Sequence, residues 1–270
     1  LWCAGHLGED VAVRSRLKRL LQWFRRRASP PPPRDWSGLA LERLSWLQEL
    51  DGPERVRALA HLNQIANGVP FVGVDGLEVT DEMIVVIAGA AARLSRNLPP
   101  GAYAHLKRIV VTPEHMETSD GKGVVFGLAS NRGEVTLSWN AVRHGIKNPL
   151  DGHDTALHEF AHILDVGDGI FDGVPPSHID DHHGFAHALA SGFVRFQEMA
   201  DKGLARRFVM RDYGATNAAE FFAVATEAFF EKPRQLQQKK PQVYRALVRF
   251  YGIDPLARHG RHRHRRRHQR

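Results

Sequence analysis

Residues 156 to 165 read ALHEFAHILD, two histidines four positions apart with a glutamate directly after the first, in an otherwise apolar run. On an α-helix, positions i and i+4 lie one turn apart on the same face, so His158 and His162 turn their imidazoles toward one point. Leu157, Phe160, Ala161, Ile163 and Leu164 carry no charge, so the other sides of this helix belong in a core. A buried helix that also carries ionisable side chains is stable only where other polar groups or a cleft meet them. The rest of the chain therefore has to supply an apolar wrapping and a polar cleft at the same place.

The spacing has a chemical meaning. In H-E-x-x-H two histidines bind a zinc-type ion, and the glutamate between them, Glu159 here, reaches a water beside the ion as a general base. A catalytic zinc also needs a third protein ligand. Asp165 follows His162 by three residues, but a short carboxylate on the same helix falls too far along it, so it reads as support for a ligand histidine or as a cap. Residues 211 to 233, RDYGATNAAEFFAVATEAFFEKP, offer a second helix, capped by Asn217, with Phe221, Phe222, Val224, Ala225, Ala228 and Phe229 on its apolar face. Glu220 stands in its first turn, where the helix dipole favours an acid in any case. Glu227, two turns further along nearly the same face, is the fallback ligand, with a structural task as its other reading. Tyr213, seven residues before Glu220, is placed to donate its phenol to an oxyanion. His178, His182, His183 and His187 in SHIDDHHGFAH show no ordered catalytic spacing and are expected mostly at the surface, with His182 or His183 at most lining the cleft.

Charge and cysteine narrow the function classes. The formal net charge is +7, yet residues 1 to 34 hold eight Lys or Arg against two acids, and residues 258 to 270 hold seven arginines and no acid. The stretch 35 to 257 carries a net −6, so no specific nucleic-acid partner is expected, and the basic ends are left to contact polyanions weakly. Cys3 is the sole cysteine, which excludes an intramolecular disulfide and points to a reducing, cytoplasmic setting. No run approaches the roughly 18 to 20 apolar residues of a membrane span, and a signal-peptide pattern is not expected at the start.

The expected organisation is a basic extension over 1–34, with a helix at 11–27 and a Pro-rich link at 29–33, a domain over 35–257, and a His/Arg-rich tail over 258–270. Within the domain, apolar periodicity predicts helices over 36–50, 53–65, 80–98, 154–166, 180–201, 217–231 and 239–250, with Thr80 capping the third. Strands are expected over 106–113 and 133–139, with a loop at 117–123 between them. FVGVDGLEV reads as short strands around a turn at Asp75 and Gly76.

The chain resembles the Mlc titration factor A family of zinc metallopeptidases over roughly residues 22 to 258. The resemblance rests on WFRRR followed by a Pro-rich link and Trp36, GLEVTDEM at 76–83, VTLSW at 135–139, LHEFAHILD with DGVPP at 172–176, DYGATNAAEFFAVATEAFFEKP, and FYGIDPLAR at 250–258. It implies that one zinc ion is held by His158, His162 and Glu220, that Glu159 is the base and that Tyr213 assists. Asp165 and Glu227 are left in supporting positions. It further implies a peptide or protein substrate, cut by aminopeptidase or endopeptidase action, and a second activity, binding a glucose-responsive transcriptional repressor. The implied fold is a mainly helical α+β zincin, similar to the protease domain of anthrax lethal factor, with a small sheet over the active-site helix. GEVTLSW is then the expected sheet edge, along which an extended peptide pairs.

Overall fold

The computed structural model describes residues 33–117, 124–176, 178–204 and 209–257. The expected helix over 11–27 and the tail over 258–270 lie outside them, as do positions 118–123 of the expected loop. Helices α1 (Ser37–Arg43), α2 (Gly52–Gly68) and α3 (Asp81–Ser95) precede most of the sheet, and α4 (Trp139–Lys147) and α5 (Thr155–Asp165) follow it. Then come α6 (His182–Asp201), α7 (Ala218–Glu231), α8 (Pro233–Lys239) and α9 (Pro241–Tyr251). No helix among the described residues is long and apolar enough to cross a membrane.

Short polar side chains start the helices that matter most. Asp51, Thr80, Asp154, Asp181 and Asn217 each accept a backbone N–H from the first turn of α2, α3, α5, α6 and α7 respectively, which satisfies a donor the helix leaves open. The expected helix over 36–50 is broken in two. Leu44 is extended between α1 and a 3₁₀ turn at Ser45–Glu49, and its side chain lies against Gly89 of α3, where any Cβ would collide with it. The core gain at that contact outweighs helical continuity.

The main sheet has the order β1-β2-β6-β5. Strands β1 (Phe71–Gly73), β2 (Arg108–Thr112) and β6 (Glu134–Ser138) run parallel, while β5 (Gly127–Ala129) runs antiparallel to β6. Two two-residue strands, β3 (Met116–Glu117) and β4 (Val124–Val125), pair beside it. The turn at Asp75 and Gly76 is present, with both residues at positive φ. No strand follows it, because β1 takes β2 as its neighbour. GEVTLSW is not the edge either: β6 is interior, and the cleft-side edge of the sheet is β5. β6 accordingly buries Val135 and Leu137 completely.

Helix α5 lies at the centre, packed on α3, on α7 and beneath β5 and β6. Every one of its eleven residues is buried, the four ionisable ones included. Around it, α3 contributes Val85, Ile87, Ala91 and Leu94, and α7 contributes Phe221, Phe222, Val224 and Phe229. The small sheet over a central helix is the mainly helical α+β arrangement expected.

Candidate metal centre

The burial of α5 forces its polar residues to find partners, and they come from α7. Asn217 accepts the N–H of Glu220 at 2.9 Å, which sets Glu220 in the first turn facing α5. Glu220 Oε2 then lies 3.0 Å from His158 Nε2 and 3.3 Å from His162 Nε2, and the two imidazole nitrogens are 3.2 Å apart. Ligands at about 2.0–2.1 Å from a tetrahedral zinc lie about 3.4 Å from one another. The triangle of these three atoms therefore fits one face of such a site, and its two nitrogens and one carboxylate oxygen are an accepted zinc donor set. Among the described residues, this is the group of histidine and acid side chains arranged to hold a metal ion.

A second layer fixes His158. Its Nδ1 is 2.7 Å from Glu227 Oε1, which also accepts Arg211 Nη2 at 2.6 Å. The other Glu227 oxygen accepts the Asp154 N–H at 2.8 Å, directly at the start of α5. One α7 residue thus ties down both the imidazole and the residue that caps its helix. Glu231, one turn further on, accepts the N–H groups of Gly152 and His153 at 2.7 and 3.0 Å and holds the preceding loop. Asp165 is fully buried, and its Oδ2 accepts the Gly173 N–H at 3.0 Å, pinning the loop that carries Phe171 beside His162.

Charges follow from these contacts. Burial disfavours a charged His158, but its hydrogen bonds to Glu220 and Glu227 outweigh that and raise it to about 10. Burial pushes Glu220 up, and both histidines more than offset this and hold it well below the usual carboxylate range. Glu227 is likewise held low against its burial by His158 and Arg211. Glu159 goes the other way: burial raises it, and the two histidines only partly oppose. Burial and the Glu220 charge lift Tyr213 to about 12, so its phenol keeps its proton at neutral pH.

These groups open into a cavity of about 560 Å³, walled on one side by β5 and on the other by Phe171, Tyr213 and Asn217. Glu159 lies under Gly127, where a Cβ would come within 2.5 Å of Oε1. Tyr213 is 51% exposed, with its ring 6.1 Å from that of His158. His182 and His183 begin α6 and do not line the cleft; the additional histidine there is His153. Sequence reasoning did not single out Arg211, His153, Gly127, Phe171 or Glu231. None of the five carried a readable signal: a glycine within a strand marks a close backbone approach, but the strand around Gly127 has no alternation to reveal it.

The α+β fold thus brings a buried central helix against a first-turn glutamate to form a three-ligand group able to hold a metal ion. The profile of the glucose-regulated metallo-peptidase M90 family matches residues 20–252, and the chain belongs to that family. An uncharacterised protein of Synechocystis sp. is 33% identical over 239 residues, covering 84% of this chain and 86% of its own. Proteins named Mlc titration factor A, from Edwardsiella ictaluri and Yersinia pestis, are 32% and 29% identical over 224 residues. Those alignments cover 78% of this chain and 85% and 82% of the relatives.

Proposed function

We propose that the chain is a zinc-dependent peptidase in which His158, His162 and Glu220 hold the ion. The observation that carries the reading is the triangle of their three ligand atoms, with edges of 3.0 to 3.3 Å, at the floor of a cleft that also exposes Tyr213. When bound, zinc polarises the scissile carbonyl and acidifies the attacking water. Glu159 takes the proton from that water and passes it to the leaving amine, a task suited to a carboxyl that burial makes a stronger base than a solvated one. Tyr213 keeps its proton and donates it as a hydrogen bond to the oxygen that gains charge.

Strand β5 supports an extended substrate. Ser138 N–H donates to Phe126 and Ser130 N–H to the Glu134 carbonyl, so the hydrogen-bonded pairs with β6 fall at positions 126, 128 and 130. The N–H and C=O groups of Gly127 and Ala129 therefore face away from β6, toward the open edge. A peptide that pairs there lies over Glu159, beneath Gly127. Whether the cut falls at a chain end, as in an aminopeptidase, or within it is read from the product ends of a digested peptide library.

The test is metal analysis beside kinetics. Zinc near one per chain, lost in both His158→Ala and Glu220→Ala, with hydrolysis abolished in Glu159→Gln at full zinc content, is the expected result. Hydrolysis that survives Glu159→Gln removes the assigned base. The name of the relatives, Mlc titration factor A, supports a second reading, a regulatory protein that binds a transcriptional repressor. Capture of a repressor by the zinc-free Glu220→Ala variant is the outcome that reading requires.

A further inference from the structure

The two ends of the cleft differ in chemistry. Beside His162 stands Phe171, ring centroids 5.9 Å apart, an apolar wall. Beside His158 stands Arg211, with Nη2 3.4 Å from His158 Nδ1. Arg211 lines the cleft and keeps a third of its side chain exposed. Its role toward Glu227 uses one nitrogen, Nη2, at 2.6 Å. Nε is buried with no hydrogen-bond partner. Nη1 makes no hydrogen bond among the described residues and is not among the buried unpartnered atoms, so it is the exposed nitrogen of a residue that lines the cleft. The guanidinium keeps its charge at any working pH, and an N–H of the exposed nitrogen gives a carboxylate a charge-assisted hydrogen bond. Among the described residues, Glu227 is the sole carboxylate paired with it.

His153 lines the same wall. Its backbone N–H is already given to Asp151 and Glu231, so the loop is fixed, and its imidazole lies with its ring centroid 5.9 Å from that of His144. Burial and the Arg211 charge lower its pKa, which leaves a neutral ring that can donate a hydrogen bond without adding charge. One cation with a spare nitrogen, a neutral donor on the same wall and, among the described residues, no second acid paired with Arg211 make a subsite for an anion. Its reach from His158 puts that anion within about a residue of the scissile bond.

We infer that Arg211, assisted by His153, is a specificity-determining residue that binds a carboxylate of the substrate peptide on the His158 side of the cut. This rests on the peptidase reading for its substrate but not for its test. The carboxylate has two sources, a free C-terminus or an acidic side chain, and both offer the same two oxygens. Arg211 thus has two tasks on different nitrogens: Nη2 steadies Glu227, and Nη1 reads the substrate.

Equilibrium binding to the zinc-loaded Glu159→Gln protein, followed by calorimetry, separates these tasks without needing turnover. The probes are one capped pentapeptide in three forms: C-terminal amide with an internal glutamine, the same amide with glutamate in place of that glutamine, and the glutamine form with a free C-terminal carboxylate. A charge-assisted pair predicts about tenfold tighter binding of at least one carboxylate form over the neutral one, and the form that gains identifies the source. Adding Arg211→Met brings the ratio to about one. Arg211→Lys, which keeps a cation against Glu227 and guards against loss of zinc in the Met variant, loses most of it. A ratio near one before any change at Arg211, a ratio that survives Arg211→Met and Arg211→Lys, or no measurable binding of either carboxylate form overturns the proposal. Failure of the peptidase reading looks different: the peptides bind with the ratio intact, and the zinc-loaded wild type cuts none of them.

Discussion

Glu227 and Glu231 stand one turn apart on α7, both almost fully buried, and their carboxyls shift in opposite directions. Glu227 meets an imidazole and a guanidinium and stays ionised. Glu231 meets two backbone N–H groups and the nearby Asp154 carboxyl, and burial with that neighbouring acid lifts it to about 8 from an ordinary value of 4.5. A carboxyl that binds its proton more tightly when folded contributes stability that is complete below about 4.5 and is lost as pH rises toward 8. Glu231→Gln is uncharged throughout and still offers an oxygen to Gly152 and His153. Its melting temperature should therefore decline less than the wild type's between pH 5 and pH 8, measured in parallel thermal melts. Glu227→Gln tests the opposite case. The amide oxygen still accepts the Asp154 N–H, so the fold is retained, but the charge that orients His158 is gone. Zinc affinity should drop about 10- to 100-fold, as is usual when the partner of a ligand histidine is changed, read by competition with a chelator of known strength.

At the level of elements, β5 and α5 meet closely at Gly127. Gly127 leaves no room for a Cβ: it would lie 2.5 to 2.8 Å from the Oε1, Cγ and Cδ atoms of Glu159. Gly127→Ala therefore has to move either the strand or the Glu159 side chain. The expected result is a fall in kcat of up to about a hundredfold, the cost of a displacement near 1 Å, with zinc content unchanged because no ligand is touched. Unchanged kcat would show that the edge yields instead. Helices α5 and α7 were legible in the sequence because apolar period and cap residues agree: Asp154 and Asn217 stop one register and start another. Choosing Glu220 over Asp165 and Glu227 needed the family resemblance, because all three lie at plausible helical positions. β5 was not legible. Three residues, two of them glycine and alanine, carry no alternation to detect, and whether β6 is an edge depends on a partner strand outside its own sequence. Arg211 was equally hidden, since its role depends on which atoms α7 brings beside it and no spacing rule expresses that.

Across the whole molecule, the metal-type group joins two helices separated by more than fifty residues, so the three ligand atoms meet only in the folded chain. An ion that binds the native state and not the unfolded one stabilises it by mass action, about 2.7 kcal/mol at a hundred times its dissociation constant. Zinc titrated into metal-stripped protein should raise the melting temperature by several degrees, and chelator should reverse the rise. The effect should vanish in His158→Ala and Glu220→Ala, each of which removes a corner of the triangle. It should persist at nearly full size in Glu159→Gln, whose side chain lies beneath Gly127 and is not one of the three convergent groups. Loss of the shift in Glu159→Gln would mean that this carboxyl is needed to hold the ion, and its assignment as a base would have to give way to one as a ligand. Retention of the shift together with loss of hydrolysis separates holding the ion from using it, and places the two tasks on different residues of α5 that line the same cleft.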